Sequence, residues 1–333
     1  MTVLLPGLRA DDPLGFLAAI GLVALSEQEE LPPLRLGWED GGAPAARVDG
    51  IGSIDELGRD LRETFERLET AGTLIPALPI EFPPRKVGAK GGDPMRMSPD
   101  ELCARVHVPA HEAWQAGEPW FGRWALAIAA LATGKERRGY TEVELTPFYA
   151  PSGQMTVRGS IFEKTIQAVR EVEGPADALA AWRRTSYDGA NFDDRAKRDA
   201  GVTTTGESDN QGAPSPTWLA AMGMRFFPLT DNGRRVRAVG WQRVRMYEGF
   251  TYRSFVWPAW RPRLDPPAVR TLLGHPALQL TLSTGNGTPR LSPQRQEALA
   301  ALGVTAVFGS SRRTLQQGDG PLGPARPVWR ADG

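Results

Sequence analysis

Hydrophobic and polar positions follow two rhythms in the first seventy residues. From Pro13 onward nearly every position is apolar, and Phe16, Leu17, Ile20, Leu22 and Val23 cover most sides of a helix. A helix apolar all round is expected to be buried. Asp12 supplies its N-cap and Pro13 a first position that needs no amide donor. Gly15 and Gly21 allow close packing against a neighbour. After Ser53 the rhythm changes. Leu57, Leu61, Phe65 and Leu68 keep helical spacing among charged residues, and Glu56, three residues after Ser53, predicts a capping box. Residues 1–10 read as a short strand. Leu34–Trp38 reads as another, ending in the turn Glu39-Asp40-Gly41-Gly42.

Further along, Trp120 to Leu131 predicts a second apolar helix, followed by a basic turn from Gly134 to Gly139. Thr146 to Gln154 reads as a loop, Ile161 to Val172 as a helix and 175–184 as a short helix. Alternation near 234–245 and 250–257 predicts a β-hairpin, and Pro267 opens a helix that runs to Leu273. Between Ile75 and Pro99 the pattern collapses, because Pro and Gly recur too often for regular elements. That stretch is a long loop holding Arg85, Lys86, Lys90 and Arg96, and a loop of such length points to function or disorder. Residues 185–213 are polar, with a mobile stretch expected at 203–208, and the tail from Gly318 is rich in Pro and Gly. The expected fold is α+β: buried apolar helices packed on mostly antiparallel sheet, with long Pro/Gly-rich loops. Two domains are expected, 1–175 and 176–333.

Composition fits a globular chain with a real core: 333 residues, 41% hydrophobic and 23% charged. The formal net charge of zero hides an asymmetry. Residues 1–80 hold fourteen acids and six bases, a net of −8, so the remainder carries +8. Between Arg225 and Arg270 there are ten Arg, no Lys and three acids. Such a one-sided stretch suits a nucleic-acid partner. The single cysteine, Cys103, allows no disulfide within the chain and fits a reducing cytoplasm. The first residues lack the basic region of a signal peptide, and no apolar run reaches the length of a membrane span. A cytoplasmic protein with no membrane partner is expected.

Candidate chemistry is sparse. His107, His111 and Glu112 resemble a metal-binding helix, but Pro109 between them breaks the helical face and the order is wrong for a zinc protease. Gly134-Lys135 lacks the upstream Gly of a phosphate loop. Asp188, Asp193 and Asp194 could hold Mg²⁺ as in a nuclease, although Arg195, Lys197 and Arg198 beside them favour a salt-bridged turn. No catalytic set and no cofactor site is read. Binding is better signalled. From Pro214 to Arg270, Arg forks suited to phosphates alternate with aromatic rings that could stack on unpaired bases. The opposite reading puts the rings in the core and the Arg in solvent. Candidate nucleic-acid contacts are Arg85, Lys86, Lys90, Arg96, Lys135, Arg137, Arg138, Arg195, Arg234, Arg235, Arg237, Arg243 and Arg245. Asn191 and Gln242 are candidates for reading base edges, since a carboxamide pairs with adenine.

Several segments together resemble one family. They are Leu5-Pro6-Gly7-Leu8 with Asp12-Pro13-Leu14-Gly15-Phe16-Leu17, Thr146-Pro147-Phe148-Tyr149 through Gly153-Gln154 to Phe162-Glu163-Lys164-Thr165, and Ser186-Tyr187-Asp188 with Asp193-Asp194-Arg195. Trp218-Leu219-Ala220-Ala221-Met222-Gly223-Met224-Arg225-Phe226-Phe227-Pro228, followed by Phe255-Val256-Trp257-Pro258-Ala259-Trp260, completes the set. In order and spacing they are similar to large subunits of subtype I-G (formerly I-U) CRISPR surveillance complexes. The chain departs from that pattern at Gly189, where Pro is expected, and is short for a large subunit with its own helical bundle. The resemblance implies a non-catalytic subunit of a Cascade-type ribonucleoprotein complex in antiviral defence. Such a subunit sits near the 5′ end of the guide RNA, reads the target-flanking motif (PAM) and helps open double-stranded target DNA. Its implied partners are guide RNA, target DNA, the other Cascade subunits and a helicase-nuclease recruited afterwards. Two alternatives stay open: a guide-processing endoribonuclease or Mg²⁺ nuclease using Asp188, Asp193 and Asp194, and a structural scaffold whose Arg meet acidic protein surfaces.

Overall fold

A computed structural model of the chain describes residues 1–75, 100, 103–117, 119–137, 140–149, 157–198, 201–202, 208–231, 236–248, 250–282, 287–315 and 318–331. The fold is α+β, and its named strands pair antiparallel. Strand β1 (Thr2–Arg9) leads into helix α1 (Pro13–Glu27). Asp12 caps α1, its carboxylate accepting the amides of Leu14 at 2.9 Å and Gly15 at 3.3 Å. Every residue from Pro13 to Ser26 is buried, as the unbroken apolar pattern requires. Strands β2 (Arg35–Trp38) and β3 (Ala45–Asp49) join β1 in a three-stranded sheet with β3 in the middle. Helix α2 (Ile54–Thr70) begins at Ser53, whose hydroxyl accepts the Glu56 amide at 3.0 Å. The Glu56 carboxylate reaches back to the Gly52 amide at 2.9 Å, one residue before the usual capping-box target.

Helices α3 (Val108–Gln115) and α4 (Pro119–Ile128) precede strands β4 (Ala129–Arg137) and β5 (Tyr140–Leu145). The apolar helix expected over 120–131 therefore ends at Ile128, and the expected turn at 134–139 is strand as far as Arg137. Ala129 pairs with Leu145 and Arg137 with Tyr140. The run Tyr140-Thr141-Glu142-Val143-Glu144-Leu145 is a good strand former, and pairing with it overrides the helical pattern of Ala129-Ala130-Leu131. Helix α5 (Lys164–Glu171) continues a π-helical turn at Arg158–Glu163, and the short helix expected at 175–184 is a 3₁₀ turn over Pro175–Ala178.

Helix α6 (Pro214–Gly223) is buried throughout and crosses α1 at backbone distance. A Cβ on Gly21 would lie 1.9 Å from the Leu219 carbonyl oxygen, so Gly sets the spacing there. Strands β6 (Leu229–Asp231) and β7 (Val236–Ala238) pair with each other, whereas β8 (Trp241–Gln242) pairs with the long strand β9 (Phe250–Trp260). The expected hairpin thus exists with Trp241 opposite Phe255, but 236–238 turns back upstream. Helices α7 (Pro266–Leu273), capped by Asp265, and α8 (Pro293–Ala301) lead to β10 (Val304–Leu315). Strand β10 pairs with β9, and also with β11 (Gly318–Leu322) and β12 (Arg326–Arg330). The Pro/Gly-rich tail is therefore strand. Its Pro321 and Pro327 sit on strands at the sheet margin, where a missing amide is tolerated.

Two indoles fasten these parts together. Trp257 Nε1 donates to the Ala10 carbonyl at 2.7 Å, and Trp260 Nε1 to that of Leu36 at 2.8 Å. Phe16 of α1 stacks on Trp38 and Trp257. One buried cluster runs from Val3 to Leu322, across the 175/176 boundary suggested by the sequence. Trp218, Phe226, Phe227, Trp241, Phe255, Trp257 and Trp260 all belong to it. These seven rings face the core and are not stacking platforms. Each such ring contributes roughly 1.5–3 kcal/mol of burial, which is why the alternation resolves this way. Among the described residues no helix is long and apolar enough to cross a membrane.

Candidate nucleic-acid interface

Two adjoining cavities lie beside β8. One, of about 450 Å³, is lined by Arg237, Gln242, Arg243, Arg253 and His275 among others. The second, of about 480 Å³, is lined by Arg243, Arg245, Tyr247, Glu248 and Arg326 among others. They share Arg243 and Val244, so they form one groove. Its lining carries five arginines and one acid, Glu248. Arg237 and Arg243 are exposed and have no hydrogen-bond or ion-pair partner among the described residues. A concave surface with one sign of charge focuses the potential and draws anions.

The local backbone explains why these side chains point outward. After Gln242 the chain leaves the ladder and is held by two buried hydroxyls. Ser254 Oγ donates to the Val244 carbonyl at 2.6 Å, and the Met246 amide donates to Ser311 Oγ at 2.9 Å. Val244 and Met246 are thereby buried, and Arg243 between Gln242 and Val244 is left in solvent. The Gln242 carboxamide is committed at both ends: Nε2 donates to the Leu278 carbonyl at 2.7 Å, and Oε1 accepts the Leu280 amide at 2.8 Å. It builds the wall of the groove, held there by the backbone of Leu278 and Leu280. His275 Nδ1 accepts the Ala277 amide at 3.2 Å, leaving Nε2 as the ring's other polar atom. Tyr247 donates its hydroxyl to the Pro324 carbonyl at 2.9 Å, and burial raises its pKa. Beneath the groove, Arg312 is buried and donates to the carbonyls of Pro147 (2.8 Å), Phe148 (2.6 Å), Gly320 (2.7 Å) and Asn191 (3.5 Å), with its guanidinium 5.5 Å from the Trp241 ring.

A separate ionic cluster surrounds the start of α1. Arg195 Nη2 donates to Asp12 at 2.7 Å, and its guanidinium lies 4.8 Å from the Trp182 ring. Asp193 accepts Arg184 at 2.9 Å, and Asp194 accepts Arg313 Nη2 at 2.9 Å. Asp188 accepts the Ala190 amide at 3.0 Å and lies 3.5 Å from Lys164 Nζ. Burial pushes the Asp12 carboxyl above the usual range, with Arg195 opposing. The turn between these acids has three consecutive left-handed residues, Gly189 (φ 71°), Ala190 (φ 47°) and Asn191 (φ 62°). Proline, with φ fixed at about −65°, cannot adopt the Gly189 conformation. Among the described residues no three His, Cys, Asp or Glu side chains are grouped to hold a metal ion.

The sequence candidates thus divide. Arg237, Gln242, Arg243 and Arg245 line one groove. Arg195 is an ion-paired strut and lines neither groove cavity. Nor does Asn191, whose Oδ1 lies 3.4 Å from Lys197 Nζ. The backbones of Lys135 and Arg137 are in β4, and their side chains lie outside the described structure. Arg85, Lys86, Lys90, Arg96, Arg138, Arg234 and Arg235 lie outside the described residues. Sequence reasoning missed Arg253, His275 and Arg326, which reach the groove from a strand face, a loop and the Pro/Gly-rich tail. Neither a protein-family model nor a curated protein matches the chain.

Proposed function

We propose that this chain is a non-catalytic nucleic-acid-binding subunit of a CRISPR Cascade-type effector complex, and that it holds nucleic acid in the groove centred on Arg243. One observation carries the reading: two cavities meet at Arg243 and set five arginines against a single acid. Guanidinium forks suit phosphate oxygens, and most protein contacts to nucleic acid are of this kind. The resemblance supplies the context. Guide RNA, double-stranded target DNA, the neighbouring Cascade subunits and a recruited helicase-nuclease are the partners it suggests, with the flanking motif as what is read. The nuclease alternative needs carboxylates available to Mg²⁺, whereas Asp193 and Asp194 are hydrogen-bonded by Arg184 and Arg313.

The test is fluorescence anisotropy of labelled RNA and DNA with the wild-type chain and Arg243→Glu. Arg243 is exposed, so the variant should melt like wild type. It should bind at least about tenfold more weakly, with a shallower salt dependence. Equal binding by both proteins rejects the groove. Cleavage of either nucleic acid by wild type, abolished in Asp193→Ala, replaces the reading with the nuclease one.

A further inference from the structure

Resting on that groove assignment, we propose that the cavity of about 450 Å³ beside Arg243 is a pocket for one nucleobase, unstacked from a bound single strand and inserted into it. The phosphates on either side of that base lie on Arg237 and Arg243. The walls decide which end of a nucleotide goes in. Leu229, Leu273 and Leu278 line the cavity, and all three are buried. A phosphate seated against such side chains loses its water without compensation. Arg237 and Arg243 line the same cavity but are exposed. The charge therefore belongs at the mouth and the flat, less polar base inside. A cavity of this size, mostly apolar with a few placed polar groups, is of the kind that holds small organic ligands.

Two of the polar groups are donors without acceptors. His275 lines the cavity, and its Nδ1 accepts the Ala277 amide at 3.2 Å. The neutral ring therefore carries its proton on Nε2. That N–H has no hydrogen-bond partner among the described residues. Trp241 is 8% exposed and lines the same cavity, and its indole N–H also has no acceptor among the described residues. Buried donors are nearly always paired, so an unpaired one marks a missing partner. Every nucleobase carries acceptor atoms in its plane. The pocket is also held in shape before anything binds. Gln242 ties the opposite wall to β8 through Leu278 and Leu280, at 2.7 and 2.8 Å, and Trp241 is fixed opposite Phe255. A preformed pocket spares the complex the cost of ordering it. Unstacking is least costly for a base that is already single-stranded.

The experiment measures affinity of the full chain for three probes: a single strand of about twelve nucleotides, the same strand with every base removed, and a free nucleoside monophosphate. The abasic strand should bind at least about fivefold more weakly than its parent, with the same salt slope, because the phosphate contacts are kept. His275→Asn puts an amide oxygen where Nδ1 accepts the Ala277 amide and removes the Nε2 donor. It should melt like wild type, weaken the parent strand by about two- to tenfold and leave the abasic strand unchanged. Three results overturn the pocket and leave the groove assignment standing: an abasic strand that binds as tightly as its parent, a His275→Asn protein that binds the parent like wild type or loses both strands equally, or a monophosphate that binds as tightly as the strand. Failure of wild type to bind either strand, or Arg243→Glu binding as well as wild type, overturns the groove assignment itself.

Discussion

One methyl group tests how α1 and α6 meet. In Gly21→Ala the new Cβ lies 1.9 Å from the Leu219 carbonyl oxygen and 2.5 Å from its carbon. Both atoms are backbone, and both helices are buried along their length, so no side chain can swing aside. Ordinary contact begins at 3.4 Å, so the helices must part by roughly 1.5 Å in a close-packed interior. Overpacking costs about 1–3 kcal/mol, at the upper end when backbone must move. The better helix propensity of Ala offsets about 1 kcal/mol. The expected net loss is about 2 kcal/mol. Gly58→Ala in α2 is the control, because its Cβ meets Ala176 at 3.4 Å and Leu179 at 3.8 Å. It keeps the propensity gain and should stabilise by up to about 1 kcal/mol. Denaturant unfolding of the two variants should therefore differ by about 3 kcal/mol. Equal stabilities would refute the crossing.

Three further perturbations follow from the same contacts. Arg312→Lys replaces a five-donor fork by one ammonium beneath the groove, leaving carbonyls among Pro147, Phe148, Gly320 and Asn191 short of donors; it should lower unfolding free energy by about 2–4 kcal/mol, and a loss under about 0.5 kcal/mol contradicts the arrangement. Asp12→Ala should cost about 1–2 kcal/mol through the lost cap and the stranded Arg195, while Asp12→Asn keeps the cap and loses less, as paired thermal melts can show. Burial opposes ionisation of Glu27, yet the paired hydrogen bonds of Arg270 at 2.8 and 2.6 Å and the nearby Arg123 hold its carboxyl below the usual 4.5. Its stabilising contribution is present above pH 4.5 and lost as pH falls through the lowered folded value. A Glu27→Gln protein should be less stable at neutral pH and lose stability less steeply below pH 4.5; identical pH profiles would show the group to be unlinked to folding.

The helices with explicit start signals were legible in the sequence. Asp12-Pro13 and Ser53 with Glu56 name local hydrogen bonds, and the structure makes them. Strand β10 was not, because three of its consecutive residues, Ser310, Ser311 and Arg312, are polar yet buried. Their partners lie far along the chain, as with Ser254 for Ser311 and Pro147 for Arg312. The Arg-aromatic stretch showed its alternation but not its sidedness. A ring beside an arginine can serve a base or a core, and only the pairing of β9 with β8 and β10 puts the rings inside. Gln242 misled for a related reason: its amide groups are satisfied by backbone 36 and 38 residues away, which spacing alone cannot announce. The groove is likewise assembled from Arg237 to Arg253, from the 273–280 turn and from Arg326, so no contiguous motif marks it.

The central claim, that nucleic acid occupies the Arg243 groove, is tested most directly by arginine footprinting. The chain is treated with an arginine-specific dicarbonyl reagent with and without a short single strand, and modification is located by mass spectrometry. Arg237 and Arg243, both exposed, should be protected by the strand, together with Arg326, while the exposed Arg59 on α2 should react equally in both samples. Equal labelling of Arg237, Arg243 and Arg326 with and without a bound strand would contradict the account.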